Sequence, residues 1–421
     1  MTYHLDEEAL LDRLKGLLQI KTVNGDAGAV TPESPLGTGI NDAINYVLDL
    51  GNSWDFKTKN CDGYCGYVEM GEGKEMVAVI THLDTVAVGD DWTVPPFDLT
   101  IDGDKVFGRG VLDDKGPAMV SLFALKALKD ANISINKRIR LIVGGDEEGG
   151  DWACMNRYKA TEEVPKYSFT PDSSYPVIFA EKGIMNVIFE KELDASTPTL
   201  EFESGKQINS VPDYARAHIA GQSYESRGKS AHAAEPEKGD NALIKLGQVL
   251  RATGLKHPIL DLLEMATPEG FGINLSDAVS GELTLNPAIV QVNGKKATFR
   301  CDIRYPVTMN SSQICAAIVQ ATNHLGFSFE MDHDSPPLHV DKESFLVKSL
   351  QKIYEEYTGE TTGPVVSGGG TYARAFENAV AFGSVFPGEE STCHETDEFW
   401  SVESIKKNFE IITRALEVLA Q

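Results

Sequence analysis

The chain predicts an α/β protein, a mostly parallel sheet with helices on both faces, interrupted by a smaller α+β domain. Residues 76–81 (MVAVIT) and 138–143 (RIRLIV) are short apolar runs of strand length, and a helical stretch over 116–131 lies between them, the order that makes parallel strands. From about Gly183 the pattern changes to short strand-like segments separated by helical ones. The chain has 421 residues, long for a single core, so two domains are expected.

Taken in order, residues 7–18 form a helix because Leu10, Leu14, Leu17 and Leu18 make one apolar stripe. A second helix follows Gly39, with Ile40, Ile44, Val47 and Leu48 on one face. The βαβ unit comes next. Strand-like segments at 185–190 and 224–228 then precede a helix at 241–253, strands at 289–292 and 297–305, and a helix at 312–325. After Pro336 and Pro337 longer helices resume at 345–357 and 402–419, the latter with Ile405, Phe409, Ile412 and Leu416 on one stripe. The expected domains are therefore 1–183 with 336–421, and an inserted 184–335.

Lys and Arg total 38 against 63 Asp and Glu, a net charge of −25, which argues against nucleic acid or an anionic membrane as partner. The start, MTYHLDEEALLDRLKGLLQIK, is acidic and amphipathic rather than a basic segment followed by an apolar one, and no run of about 18 apolar residues occurs, so a cytoplasmic protein is expected. Six cysteines are too few for a disulfide scaffold; Cys61 and Cys65 read as reduced thiols, and Cys393 adjoins His394.

Five separated segments carry chemistry: 81–86 (THLDTV), 108–116 (GRGVLDDKG), 144–149 (GGDEEG), 170–176 (TPDSSYP) and 393–397 (CHETD). Together they offer two imidazoles and at least four carboxylates, a donor set suited to a pair of divalent cations. In open α/β sheets ligands gather beyond the carboxyl ends of the strands, where His82, Asp84, Glu147, Glu148 and Asp172 fall. Asp84, two residues beyond His82, can face the same way on an extended strand end and accept the imidazole's second N–H. The DEEG run by itself reads as a solvated acidic turn; its four companions favour the metal reading over the bland one. The set points to a metal-dependent hydrolase.

In this order the segments resemble, residue by residue and over nearly the whole chain, the aminoacylase/desuccinylase/glutamate carboxypeptidase family of dinuclear zinc metallopeptidases, and most closely its PepV-type dipeptidases. The resemblance implies two divalent metal ions per subunit, Zn2+ first, with Mn2+ or Co2+ as alternatives. His82 and Asp172 would hold one ion, Glu148 and His394 the other, and Asp113 would bridge both, followed by a cis peptide to Asp114. Glu147 would be the general base, taking a proton from the bridging water and returning it to the leaving amine. Residues 184–335 would be a ferredoxin-like lid carrying His232 (in SAHAAEP, followed by GDNA at 239–242), which stabilises the oxyanion.

Asn209, in INSVPDYA, matches a position near the reacting end, and Arg304, in CDIRYP, one that binds the substrate's terminal carboxylate, although a structural ion pair is its alternative. The glycine-rich run at 367–374 (SGGGTYAR) resembles the loop that receives that carboxylate, through Gly369, Gly370 and Thr371. It is not a phosphate loop, because the Lys and Ser/Thr that such a loop needs do not follow.

The implied activity is hydrolysis of short peptides with a free N-terminus. Asp at 172, where deacylases of the family generally carry Glu, favours this over the alternative of an N-acyl-amino-acid deacylase or desuccinylase. An alternative of another class is a non-catalytic, metal-dependent peptide-binding protein, whose mark would be a missing ligand or base. One departure stands out: the stretch from Asp213 to His232 is short beside the long lid of PepV-type members. That leaves a monomer with a reduced lid, or a homodimer in which His232 serves the neighbouring site.

Overall fold

The computed structural model describes residues 3–150 and 152–421. It divides into two compact units, one running through Phe179 and resuming at Val340–Val365 and Thr371–Gln421, the other comprising Ala180–His339 and Val366–Gly370.

In the first unit the strands lie in the order Lys57–Cys61, Cys65–Met70, Arg138–Gly144, Met76–His82, Tyr167–Thr170, Ala379–Ala381, Ile178–Glu181. The sheet is mixed rather than mostly parallel. Its centre is parallel, with Thr81 beside Val143 and His82 beside Gly144, and the strands outside that centre pair antiparallel. The parallel centre consists of the apolar runs, because parallel strands are covered on both faces and must be apolar throughout. Met76–His82 is buried along its whole length. The edge strand Lys57–Cys61 (KTKNC) needs only every other side chain inside, which hides it from a search for apolar runs.

Helices cover both faces. On one, Tyr158 from the helix Ala153–Thr161 receives a hydrogen bond from Arg140 Nη1 at 2.7 Å, and Arg140 Nε reaches Glu69 at 2.9 Å. On the other, the helix Thr38–Ser53 lies so close that a Cβ at Gly66 would stand 2.8 Å from Ile44, which requires glycine there. The helix Glu7–Leu18 starts where Asp6 accepts the Ala9 N–H at 3.1 Å, and its four-leucine stripe is fully buried. Val402–Ala420 is capped by Ser401 and buries Ile405, Phe409, Ile412 and Leu416, each worth about 1.5–3 kcal/mol of transfer free energy.

The second unit is an antiparallel seven-stranded sheet in the order Gln222–Arg227, Tyr214–Ile219, Glu201–Ser204, Thr284–Asn293, Lys296–Tyr305, Gly183–Glu192, Ser328–Ser335. The helices Ala242–Ala252, Pro258–Met265 and Ser311–Thr322 accompany it, and its core gathers Phe189, Phe202, Phe271 and Phe299 with the leucines of the first two helices. Among the described residues no helix is long and apolar enough to cross a membrane.

Candidate metal centre

The centre begins at the carboxyl end of Met76–His82. Once that strand leaves the sheet, His82 Nδ1 lies 2.9 Å from the backbone carbonyl of Asp84 and 3.5 Å from its carboxylate. The nearer partner of the imidazole is therefore the carbonyl, not the side chain expected from sequence. The Asp84 carboxylate is engaged elsewhere: it accepts the backbone N–H groups of Glu147 and Glu148 at 3.1 and 3.0 Å, and Asn24 Nδ2 at 3.2 Å. Asp84 thus ties the acidic turn after Arg138–Gly144 to the end of the neighbouring strand.

Asp113 stands between two triads. Its Oδ1 is 2.9 Å from His82 Nε2, and its Oδ2 is 2.9 Å from His394 Nε2. Asp172 Oδ2 lies 3.6 Å from His82 Nε2, and Glu148 Oε1 lies 3.1 Å from His394 Nε2. The ligand atoms of His82, Asp113 and Asp172 fall within 4.8 Å of one another, as do those of Asp113, Glu148 and His394. The structure thus brings all five expected ligands together, around one shared carboxylate.

The donor chemistry fits cations. With Nδ1–H donating to the Asp84 carbonyl, His82 Nε2 faces the Asp113 carboxylate as a second acceptor, at 2.9 Å. Acceptors pointed at one another in a buried site need a positive charge between them. Without one, protons fill the gap. Burial alone would lower the His82 pKa, but the carboxylates of Asp113, Asp172 and Asp84 raise it well above the usual value. His394, half exposed, is pushed up to about 11 by its hydrogen bonds to Asp113 and Glu148. Asp113 is held low by the two imidazoles against its own burial.

Glu147 precedes the candidate ligand Glu148 and belongs to neither triad. Burial, and then the charge of Asp172, raise its pKa well above the ordinary carboxylate value. A carboxyl tuned upward is suited to exchanging protons near neutral pH.

Several further residues support the two triads. Glu398 is wholly buried and accepts the backbone N–H groups of Gly110, Leu112 and Asp113 at 3.0, 2.8 and 3.1 Å, while Arg109 Nη1 reaches it at 2.7 Å. Arg109 Nη2 also donates to the Glu395 carbonyl at 3.1 Å, so the loop bearing Asp113 and the loop bearing His394 are fastened together. His394 itself has φ 65°, and Asp397, at φ 55°, is held by the Thr93 N–H and hydroxyl at 2.8 Å each. Asp114, joined to Asp113 by a cis peptide, accepts the His82 N–H at 3.0 Å. Tyr372 sets its ring edge-on to His82, centroids 6.0 Å apart. Glu398 follows the CHETD segment directly and Tyr372 lies inside the glycine-rich run, so proximity to a motif was the only available hint.

A family model described as peptidase family M20/M25/M40 matches residues 78–418. The chain belongs to this family. A protein of Bacillus subtilis named "Putative dipeptidase YtjP" is 34% identical over 460 residues, covering 99% of this chain and 98% of that one. A "Putative dipeptidase" of Staphylococcus epidermidis is 32% identical, covering 93% of each. Among solved structures, human carnosine dipeptidase 1 superposes with TM-score 0.65 at 13% identity, covering 99% of this chain and 96% of that one. The dipeptidase Dug1p of Saccharomyces cerevisiae gives 0.65 at 15%, covering 98% and 96%. At such identities these likenesses establish the fold. This peptidase is accordingly a metal-dependent hydrolase whose metal-binding candidates are the two triads sharing Asp113.

The remaining expected residues lie in the second unit, apart from Thr371. Asn209 and His232 are exposed on adjoining segments, where Ser210 bridges His232 and the Ala233 N–H donates to the Asn209 carbonyl at 2.9 Å. Gly368 packs so tightly there that a Cβ would meet Ala234 at 2.8 Å, which places Gly369 and Gly370 beside the His232 loop. Arg304 is engaged within the unit. Its Nε and Nη2 hold the Asp302 carboxylate at 2.6 and 2.9 Å, and its Nη1 donates to the Gly368 carbonyl at 2.8 Å. These three bonds make the structural ion pair that was the alternative for Arg304 and fasten the glycine-rich loop. Thr371 is buried, its hydroxyl accepting the Ala373 N–H at 3.2 Å.

Proposed function

We propose that this peptidase is a dipeptidase that hydrolyses short peptides with a free N-terminus. The observation that carries the reading is Asp113, whose two oxygens face two separate His- and carboxylate-containing triads at 2.9 Å. His82, Asp113 and Asp172 would hold one divalent ion and Asp113, Glu148 and His394 a second, with zinc the natural choice for this nitrogen and carboxylate set. Bound there, such ions polarise the scissile carbonyl and make water acidic enough to be ionised near neutral pH.

The chain's own residues supply the rest. Glu147, outside both triads and raised in pKa, takes a proton from the attacking water and returns it to the departing amine. Asp84 acts on the reaction only by holding the Glu147–Glu148 turn and, through its carbonyl, the His82 imidazole. His232 and Asn209 serve the developing oxyanion, and the backbone around Gly369 and Gly370 receives the peptide carboxylate. The full-length likeness to proteins named as putative dipeptidases supports the substrate class.

The test sets a free dipeptide beside its N-acetylated counterpart, on metal-reconstituted protein with and without chelator. Chelator-sensitive cleavage of the free dipeptide alone is expected. Preference for the acetylated compound would replace the reading with a deacylase, and inactivity on both with a binding protein.

A further inference from the structure

Away from the metal centre, the first unit holds a pair of cysteines that peptide hydrolysis does not use. Cys61 ends the edge strand Lys57–Cys61, Cys65 begins Cys65–Met70, and Asp62, Gly63 and Tyr64 form the turn between them. The two cysteines are direct partners in the antiparallel register. Such partners stand about 4.5 to 5.5 Å apart between Cα atoms and send their side chains to one face, and a disulfide spans about 4.4 to 6.8 Å. Both side chains are buried, both are free thiols, and they share a hydrogen bond.

Resting on the dipeptidase reading for its effect on turnover, we propose that Cys61 and Cys65 are a redox-active dithiol that a hydroperoxide closes into a cross-strand disulfide, and that closure slows the peptidase. The Cys61 thiolate attacks the outer peroxide oxygen, the O–O bond breaks, and the departing alkoxide takes up the proton that Cys61 had shed. The Cys65 thiol then attacks the sulfur of the resulting sulfenic acid, forming the S–S bond and expelling water. Two thiols and one hydroperoxide thus give one disulfide, one alcohol and one water.

The surroundings separate the two roles. The hydrogen bond from Cys65 lowers the Cys61 pKa, with help from Lys59 and Arg140 against burial and the charge of Glu162. Cys65 is raised, first by donating that hydrogen bond, and burial raises Cys154, Cys301, Cys315 and Cys393. Cys61 is therefore the attacking thiol and Cys65 the one that resolves. The strand Lys57–Cys61 lies at the end of the sheet and pairs on one side only, so it opens more readily than the sheet's centre and admits a small peroxide. The link to turnover runs through the next strand. Cys65 pairs with Gly144, from which the chain passes through Gly145 and Asp146 into Glu147 and Glu148. A Cβ at Gly145 would stand 3.4 Å from the Tyr64 carbonyl oxygen, so the hairpin turn lies against the base of that segment. A covalent bond that draws Cys61 and Cys65 together shifts this support, and a misplacement of about 1 Å can cost about 10² in rate.

The experiment treats metal-loaded protein with hydrogen peroxide, alkylates the remaining thiols, maps the tryptic peptides and reads turnover of a free dipeptide on the same sample. The peptide 60–74, which contains both cysteines, should escape alkylation and be lighter by the two hydrogens lost. The kcat should fall by at least about three-fold, and dithiothreitol should restore both the thiols and the rate. Cys61→Ser should keep the untreated rate and lose the response, and Cys61→Ala repeats the comparison should a buried serine impair folding. Full alkylation of Cys61 and Cys65 after treatment would overturn the dithiol assignment. A mapped disulfide with unchanged kcat, or a rate loss that persists in the Cys61 variants, would overturn its control of turnover. Untreated protein that cleaves no dipeptide would overturn the dipeptidase reading and that control with it, while the peptide map still decides whether the dithiol closes.

Discussion

Glu147 and Glu148 are adjacent and chemically alike, yet they occupy different environments: Glu148 reaches His394 at 3.1 Å, while Glu147 joins neither triad. Glu147→Gln should lower kcat by about 10²–10⁴ with metal content unchanged, read by turnover and metal analysis on the same sample. Near wild-type activity would remove the base role. His394 makes a pH prediction. In the metal-free protein its pKa, about 11 through Asp113 and Glu148, lies above the ordinary value of about 6.5. Its pairing therefore stabilises the metal-free fold in full below the ordinary value and is lost as pH rises toward the raised one. Thermal scans of chelated protein should show Tm declining from neutral to alkaline pH more steeply than for loaded protein. Because each ion must displace protons from His82 and His394, metal affinity should weaken as pH falls, measured by competition with a chromogenic chelator. At this scale the candidate ligands were legible because each sits in a short motif that resembles the family's, just past an apolar or glycine-containing run. The partner of His82 Nδ1 was not, since a backbone carbonyl leaves no mark on sequence.

The loops between elements are organised by two buried carboxylates that the motifs do not advertise. Glu398 gathers three backbone N–H groups and Arg109, so Glu398→Ala would leave a buried guanidinium and those donors without their acceptor. It should destabilise the metal-free protein by about 3–5 kcal/mol in denaturant unfolding and weaken retention of both ions, because Asp113 hangs on that loop. Asp302 does similar work in the second unit, where Arg304 is almost fully buried against it. Arg304→Ala should therefore lower Tm markedly, whereas an arginine reserved for substrate would raise KM and leave Tm unchanged. The alternative of a structural ion pair at Arg304 was visible from sequence. Choosing it required the Gly368 carbonyl, 64 residues away, to be seen within reach of Nη1. The edge strand Lys57–Cys61 escaped notice because a half-exposed strand need not be apolar.

For the whole molecule, two ions bound to the folded chain and not to the unfolded one stabilise it by mass action, so stripping them should lower Tm. Each site filled at about a thousand times its Kd contributes about 4 kcal/mol, and adding zinc back should restore the loss. A chelator without effect on Tm would count against a resident metal pair. Composition and apolar periodicity determined the α/β class and the change of pattern near Gly183, and five short motifs, through the family resemblance they carry, nominated the metal-ligand candidates. Those features repeat locally or sit at strand ends, so they can be read one segment at a time. Only the tertiary structure decided that Asp113 turns one oxygen to each histidine and that Asp84 clamps the Glu147–Glu148 turn. It alone decided that Glu398 organises the bridging loop and that Arg304 is occupied by Asp302. These depend on contacts between residues tens to hundreds of positions apart, which a linear pattern does not encode.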